Sequence, residues 1–467
     1  MLKFLNKRSS LLLILWVITL SILYSFLSVL RHNHFQSGAF DLGLYDQSIW
    51  QYANFLSPYN TIKQRFILGD HLALTLPLVS PLFYFWDNVR ILLIFQAFWI
   101  SFSTFAIHKL CKLRGLSNLT SLILSIIFSL FYGIQYAVFF DFHPVVMGVG
   151  FLAWLIYFLE AGRKKLFILT LVLTLLTQEN MGIALASLGL IYIFKEKFRK
   201  ASIFFIFFGL LISVVSAKIV SLFSSVGFQY TPQISLTPIK IFSSFFDSEE
   251  KRLVWLYSLS WFSFLPLLSP GAMMAIVLDL SQYFVANSNF TWMVGPYLHH
   301  RAILAIFLFL GVLDVFELLK KKKINLEKLS ILLLLAALFL QFFFHFPLNK
   351  LSKKGYWKNE SWISDNNSLF KLIPKNASIA AAQNLVPHLS HRKEIYLVYP
   401  RQRDSGWWLD FDGKPQFLVV DLRPNQWVTQ LLETNENFSQ AVTNMEKSRK
   451  IKLIKQINDA KLFQIIY

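Results

Sequence analysis

Long apolar runs alternate along the chain with short polar stretches, and within each run the apolar residues are continuous rather than alternating one by one. A segment that is apolar on every side has no solvated face, so these runs read as helices rather than half-exposed strands. Runs of this length can cross about 30 Å of hydrocarbon, where only helices or closed barrels satisfy their own backbone. The pattern predicts about eleven spans, over roughly 10–30, 89–109, 117–137, 145–160, 165–178, 181–194, 201–220, 252–268, 271–286, 302–319 and 328–347. The fifth and sixth are short for full crossings. They predict a bent or re-entrant hairpin with "TQEN", Thr177 to Asn180, at its outer tip.

From about Leu348 the apolar runs give way to lysines, asparagines and tryptophans. "ASIAAAQ", "EIYLVY", "FLVVDL" and a terminal "KLFQIIY" read as short strands with helical stretches between them, a small α/β layer. The expected architecture is an α-helical polytopic membrane protein, residues 1–347, followed by a small α/β extracytoplasmic domain, residues 348–467.

Composition removes the soluble classes: 55% of residues are hydrophobic, 17% aromatic and only 15% charged. The net charge of +19 would suggest nucleic acid in a soluble chain, but here the placement of the basic residues matters more than their sum. They gather at Lys3, Lys7 and Arg8, at Lys109, Lys112 and Arg114, at Arg163 to Lys165, at Lys195 to Lys200 and at Lys320 to Lys323. The positive-inside rule makes each cluster cytoplasmic. The expected protein sits in the cell membrane with its amino terminus inside and residues 348–467 outside. The uncharged "SPG" loop at Ser269 to Gly271 is the weakest inside assignment. A cleaved signal peptide competes for the first segment, but its core is long and no small-residue cleavage pattern precedes "RHNHFQ". A single cysteine, Cys111, excludes an intrachain disulfide or a cysteine-rich metal site. The tail carries no phosphate-cradling glycine pattern, which argues against nucleotide chemistry.

With the spans drawn, the polar residues collect on the outer side. Asp41, Asp46, Asp70 and His71 fall in the first outer loop, and Asp141 and His143 in the second. Glu179 and Asn180 fall at the hairpin tip, and His299, His300 and Arg301 in a late loop. Ionisable groups against apolar spans are costly unless paired, which makes them functional candidates. Each also has a structural reading. Asp41 precedes an apolar stripe of Leu44, Ile49 and Trp50 and suits an N-cap, and Asp46 lies about 140° further round a helix. "LGDH" and "DFHP" each pair an acid with an imidazole, as a divalent-cation site, an Asp-oriented His, or a polar clamp at a span end. A cation site would draw on Asp141, His143 and Glu179. Glu179 either solvates a turn or is aimed inward by a tip that dips into the membrane.

The series "FDLGLYDQSIW", "GDH", "DFHP", "LLTQEN" and "IPKNASIAAAQNLVPHLSHRKEIYLV" resembles a prokaryotic family of multispanning membrane proteins grouped with the GT-C type membrane glycosyltransferases. The resemblance covers most of the chain. It implies a polyprenyl phosphate sugar donor, transfer on the outer face to a glycan, lipid or protein acceptor, and an essential acid in the first outer loop. The matching position is Asp41, with Asp46 second. There is no adjacent Asp-Glu or Asp-x-Asp pair, so a metal-free or a metal-dependent branch both stay open. Glycosyl transfer needs a carboxylate base for the acceptor and cations for the departing phosphate. Asp41 supplies the first; Arg301, His299 and His300, with Lys63 and Arg65, are the available second. Trp50, Trp292 and Tyr297 either stack on sugar or anchor the bilayer interface. Rival readings are a transporter or flippase, and a non-catalytic relative that only binds polyprenyl lipid. A transporter places charges at midplane, whereas these interiors are nearly charge-free apart from Lys218 and Asp279.

Overall fold

The computed structural model describes residues 8–233, 237–286, 290–399, 408–424 and 426–467; Lys3 and Lys7 of the first basic cluster lie outside them. The helices, in chain order, are α1 (Ser9–Asn33), α2 (Leu44–Ala53), α3 (Arg90–Leu113), α4 (Asn118–Ser129), α5 (Tyr132–Phe140), α6 (Pro144–Glu160), α7 (Lys164–Leu175) and α8 (Met181–Tyr192). They continue with α9 (Arg199–Leu222), α10 (Glu249–Trp261), α11 (Pro270–Phe284), α12 (Leu304–Lys321), α13 (Leu326–Phe343), α14 (Ser361–Phe370) and α15 (Asn435–Lys447). Each predicted apolar run is therefore occupied by helix.

Their lengths are unequal. Among the described residues five helical segments are long and apolar enough to cross a membrane: Ser9–Asn33, Arg90–Leu113, Glu196–Leu222, His299–Lys321 and Leu326–Phe343. A sixth crossing results if α4 and α5, bent by 46°, count as one. Length does not establish the expected count of about eleven spans; α7 and α8, read from the sequence as short for full crossings, have 12 residues each, about 18 Å of rise. The bend between α4 and α5 frees backbone carbonyls, and side chains collect them. Trp261 Nε1 donates to Ile127 O at 3.0 Å, Tyr24 Oη to Ser129 O at 2.6 Å, and Gln135 Nε2 to Leu130 O at 2.6 Å. A break inside an apolar region is stable only when its polar groups are satisfied in this way.

Two compact units share the chain. The first comprises residues 1–27, 68–75 and 94–352. Its α8 and α9 approach so closely that a Cβ added at Gly182 would sit 2.3 Å from Gly209 O, the small-residue contact that lets apolar helices pack without a hydrophobic drive. At one end of this unit the basic clusters meet acids. Arg114 bonds Glu160 at 2.5 Å and Asp314 at 3.3 Å, Lys195 bonds Asp314 at 2.8 Å, and Lys320 donates to Gly115 O at 2.7 Å. Cys111 is buried there as a free thiol.

The second unit comprises residues 28–67, 76–93 and 353–467, so it gathers the segment after α1 as well as the tail. A short hairpin joins β1 (Tyr59–Asn60) to β2 (Arg65–Phe66). The strands β3 (Ile379–Ala381), β4 (Ile395–Leu397), β5 (Phe417–Asp421), β6 (Ile451–Ile457) and β7 (Ala460–Ile465) form one sheet in the order β4-β3-β5-β7-β6. β3 runs parallel to β4 and β5, while β7 runs antiparallel to β5 and β6. The core combines the sheet with Leu369 of α14 and Phe438 and Val442 of α15, and it also takes in Phe35, Ala39 and Ile62. Those three contributions bind the segment after α1 to the tail's own apolar core.

Candidate functional site

In the second unit the opening motif folds in two steps. Gly38 is extended and starts a five-residue π-helical turn, Ala39–Gly43, that runs directly into α2. Asp41 is the third residue of that turn, so the N-cap expected of it belongs to Gly38 instead. An acid in a first turn still gains from the exposed N–H groups there. A Cβ at Gly38 would lie 3.3 Å from Asp41 Oδ2 and 3.2 Å from Gln383 Nε2, so carboxylate and amide flank a bare stretch of backbone. Gln383 is 4% exposed, whereas Asp41 is half-buried.

Asp46 occupies a different setting. It is fully buried, and Ser390 Oγ donates to its Oδ2 at 2.5 Å. His391 Nε2 lies 3.0 Å from its Oδ1, while His391 Nδ1 lies 2.6 Å from the exposed Asp87. Burial works against charge on His391, but Asp46 and then Asp87 outweigh it and raise its pKa above the usual imidazole value. The ring also meets the face of Trp50 at 6.2 Å and Phe83 at 4.6 Å. This is an imidazole held between two carboxylates that favour its protonated form, a clamp joining α2, the segment before α3 and the loop before β4. His391 went unnoticed in the sequence because it reads as polar lead-in to a strand; the local "SHR" triplet was the available signal.

In the first unit the remaining motifs converge. Gly69 of "GDH" abuts backbone, since a Cβ there would fall 2.2 Å from Phe223 O. The tight approach delivers His71 to the buried "TQEN" tip: Glu179 Oε1 meets His71 Nδ1 at 2.7 Å, and Glu179 Oε2 accepts from the Leu72 amide at 3.0 Å. Burial acts to raise the Glu179 pKa, and His71 with these hydrogen bonds brings it below the usual carboxylate range. His71 of one motif thus takes a carboxylate partner, Glu179, from another. Tyr230 stacks on the other side of the imidazole at 5.3 Å.

A row of rings follows. His143 stacks on His299 at 3.6 Å, His299 on His300 at 4.1 Å, and His300 meets Tyr283 at 5.2 Å. Arg301, wholly buried, lies 4.4 Å over Tyr283 and donates to Met293 O. Its position is fixed by Gly133, whose absent Cβ would clash with Arg301 O at 2.5 Å. Among the described residues Arg301 Nε and Nη1, His299 Nδ1 and His300 Nδ1 have no hydrogen-bond partner. Arg301 Nε and Nη1 are donors, whereas each histidine Nδ1 donates or accepts with its tautomer; a buried donor without an acceptor costs about 1–3 kcal/mol, which makes the Arg301 guanidinium the candidate for contact with an anion. Asp279 of α11, also buried, is within electrostatic range of Arg301. Asp141 is fully buried, and Gln96 binds its backbone carbonyl at 2.9 Å and the His143 amide at 2.9 Å. Asp70, 3% exposed, belongs to this unit too. Lys63 and Arg65 belong to the other, Lys63 lying 5.4 Å over Phe40.

No group of three or more His, Cys, Asp or Glu positioned to hold a metal ion occurs among the described residues. Asp141, His143 and Glu179, the residues a cation site would draw on, are not such a group. Glu179 is turned to His71, and His143 Nδ1 lies 3.3 Å from the Asp141 main-chain carbonyl.

The long apolar helices of the first unit and the five-stranded sheet of the second define a mostly helical membrane protein with an α/β unit. The chain belongs to the DUF2079 family of predicted membrane proteins, whose model matches residues 31–447. Its fold is similar to that of ArnT from Cupriavidus metallidurans, a GT-C glycosyltransferase whose crystal structure was determined bound to undecaprenyl phosphate. The likeness has a TM-score of 0.54 at 10% sequence identity and covers 97% of this chain and 98% of that one. At that identity the likeness is one of fold. No curated protein matches the sequence.

Proposed function

We propose that this protein is a membrane glycosyltransferase that moves a sugar from a polyprenyl phosphate donor to a glycan, lipid or protein acceptor on the outer face of the cell membrane. The observation that carries the reading is the wholly buried Arg301 beside His299 and His300, whose unpartnered Nε and Nη1 donors suit a phosphate with several acceptor oxygens. The fold shared with a protein crystallised with undecaprenyl phosphate supports the same donor class. As the sugar leaves, negative charge grows on the phosphate, and fixed donors out of water stabilise it most at that moment. Asp41, the half-buried acid that matches the family's first-loop position, takes the acceptor proton in this reading. Asp46 holds the α2 segment through His391 rather than reacting. His71 and Glu179 brace the tip beside "TQEN". In this reading the chain crosses the membrane eleven times, the short helices included, with the amino terminus inside and residues 348–467 outside.

The test is binding of undecaprenyl phosphate to the full chain in nanodiscs. Arg301→Gln keeps a donor but removes the charge, and loss of one charge-assisted contact of about 1.5–3 kcal/mol corresponds to a roughly 10- to 100-fold weaker affinity. Undiminished binding by Arg301→Gln would refute the phosphate assignment. Binding retained by wild type with no sugar transferred from any polyprenyl phosphate sugar would leave a lipid-binding protein instead of an enzyme.

A further inference from the structure

A separate recess of about 300 Å³ opens within the second unit. Its polar rim is Asn33 and His34 at the end of α1, Arg90 at the start of α3, and Trp357, Asn359 and Asn367 from the tail. Its floor is aromatic: the His388 ring stacks on Phe35 at 3.9 Å and on His32 at 4.0 Å. Burial, with Arg90 nearby, pushes His388 down to about 3, so the ring is neutral and packs as an aromatic surface. No carboxylate lines the recess. Lys358, at its edge, is paired with Glu360 at 3.0 Å, and Arg90 is held by Asn33 through Nε at 2.8 Å and by Asn88 through Nη1 at 3.1 Å.

The donor and acceptor balance identifies the ligand class. A phosphate accepts only, and a cradle for it is built from donors and clustered charge. A sugar hydroxyl donates and accepts at once, which asparagine amides match on both counts. Pyranose rings also present an apolar C–H face that packs on an exposed aromatic, and Trp357 is 47% exposed at the rim. The volume sits at the lower end of small-molecule sites, which begin at about 300 Å³.

We infer that this recess binds a carbohydrate segment of one or two rings, held by the Asn33, Asn359 and Asn367 amides and Arg90 with a ring face on Trp357. The inference goes beyond the transfer reading and does not rest on it; should transfer hold, the recess is where an acceptor glycan is retained. The test is saturation-transfer NMR of the full chain in nanodiscs, without any polyprenyl donor. The probes are glucose, N-acetylglucosamine and galacturonate, each with its disaccharide. At least one probe receives saturation from wild type. Trp357→Ala and Asn367→Ala, both exposed and so tolerated by the fold, weaken it tenfold or more, and Trp357→Phe recovers part of the loss. Asp41→Asn leaves this binding unchanged, which separates failure of the recess from failure of the transfer reading. Three results overturn the inference: no probe binds wild type, the Ala variants bind as wild type does, or inorganic phosphate or phosphatidylglycerol vesicles compete through Trp357 and Asn367 in place of sugar.

Discussion

Replacing Asp46 by Asn isolates the clamp from the chemistry. The carboxylate is fully buried and receives Ser390 Oγ at 2.5 Å and His391 Nε2 at 3.0 Å. Asparagine keeps one oxygen for the Ser390 hydroxyl but turns an NH₂ toward His391, setting donor against donor. One charge-assisted bond is lost, about 1.5–3 kcal/mol, and the imidazolium keeps only the exposed Asp87 as counter-charge. For a unit of this size about 2–3 kcal/mol lowers the melting temperature by roughly 5–10 °C. The assay is thermal unfolding in nanodiscs together with hydrogen exchange over residues 44–53 and 385–397, where the loss of protection should concentrate. The effect depends on pH in a fixed direction. Because the folded pKa of His391 is raised, its stabilisation is complete below the ordinary imidazole value of about 6.5 and fades as pH climbs through the raised value. The gap between wild type and Asp46→Asn should therefore narrow toward alkaline pH. A variant that melts as wild type does yet loses transfer would refute the clamp and return Asp46 to the reacting centre.

Three further outcomes follow from the same geometry. Asp41→Asn should stay folded, since Asp41 is not the cap, and lose about 10²- to 10⁴-fold in transfer rate, measured with labelled sugar on a polyprenyl phosphate; wild-type turnover would remove it as the base. Glu179→Gln should destabilise the first unit by about 1–3 kcal/mol as well as lower transfer, because the residue is 7% exposed and engaged by His71 and the Leu72 amide rather than solvating a turn; an unchanged melting temperature would contradict that. Gly69→Ala should loosen the "GDH" segment, because its Cβ would lie 2.2 Å from Phe223 O and backbone must move; protease resistance equal to wild type near residues 68–75 would show that the approach is looser than described.

Apolar runs were legible because burial in lipid needs every side of a helix to be apolar, and that signal is local. Crossing number was not, since α7, α8 and α10 are 12 or 13 residues long and length alone does not tell a bent crossing from a buried stub. Strand positions β3, β4, β5 and β7 stood out as β-branched or apolar clusters, whereas β6, "IKLIKQI", was hidden by its lysines. Those charges are what an edge strand carries to block further pairing, and the sheet order places β6 at the edge. Asp41 was misplaced by two to three residues because the turn ahead of α2 is a π-turn, a geometry that no propensity scale marks.

The polar motifs show why residue types were readable and their pairings were not. "GDH" and "TQEN" each announced ionisable groups beside apolar spans, but the bond between them joins His71 to a carboxylate 108 positions away and depends on Gly69 lacking a side chain. Likewise Asp46 and His391 are 345 positions apart, and their union turned one of two neighbouring acids into scaffold. Two carboxylates five residues apart thus diverge through environment alone. Asp46 has both oxygens taken by partners in the tail, and its burial means that loss of either partner strands a charge. Asp41 sits on a widened turn between two glycines, Gly38 and Gly43, where a Cβ would press on Gln383 and Val386 respectively, so the backbone is pinned while the residue stays half-buried. A base that must gain and release a proton needs that combination of fixed position and partial exposure, and for this reason Asp41 rather than Asp46 is the residue on which the transfer reading stands.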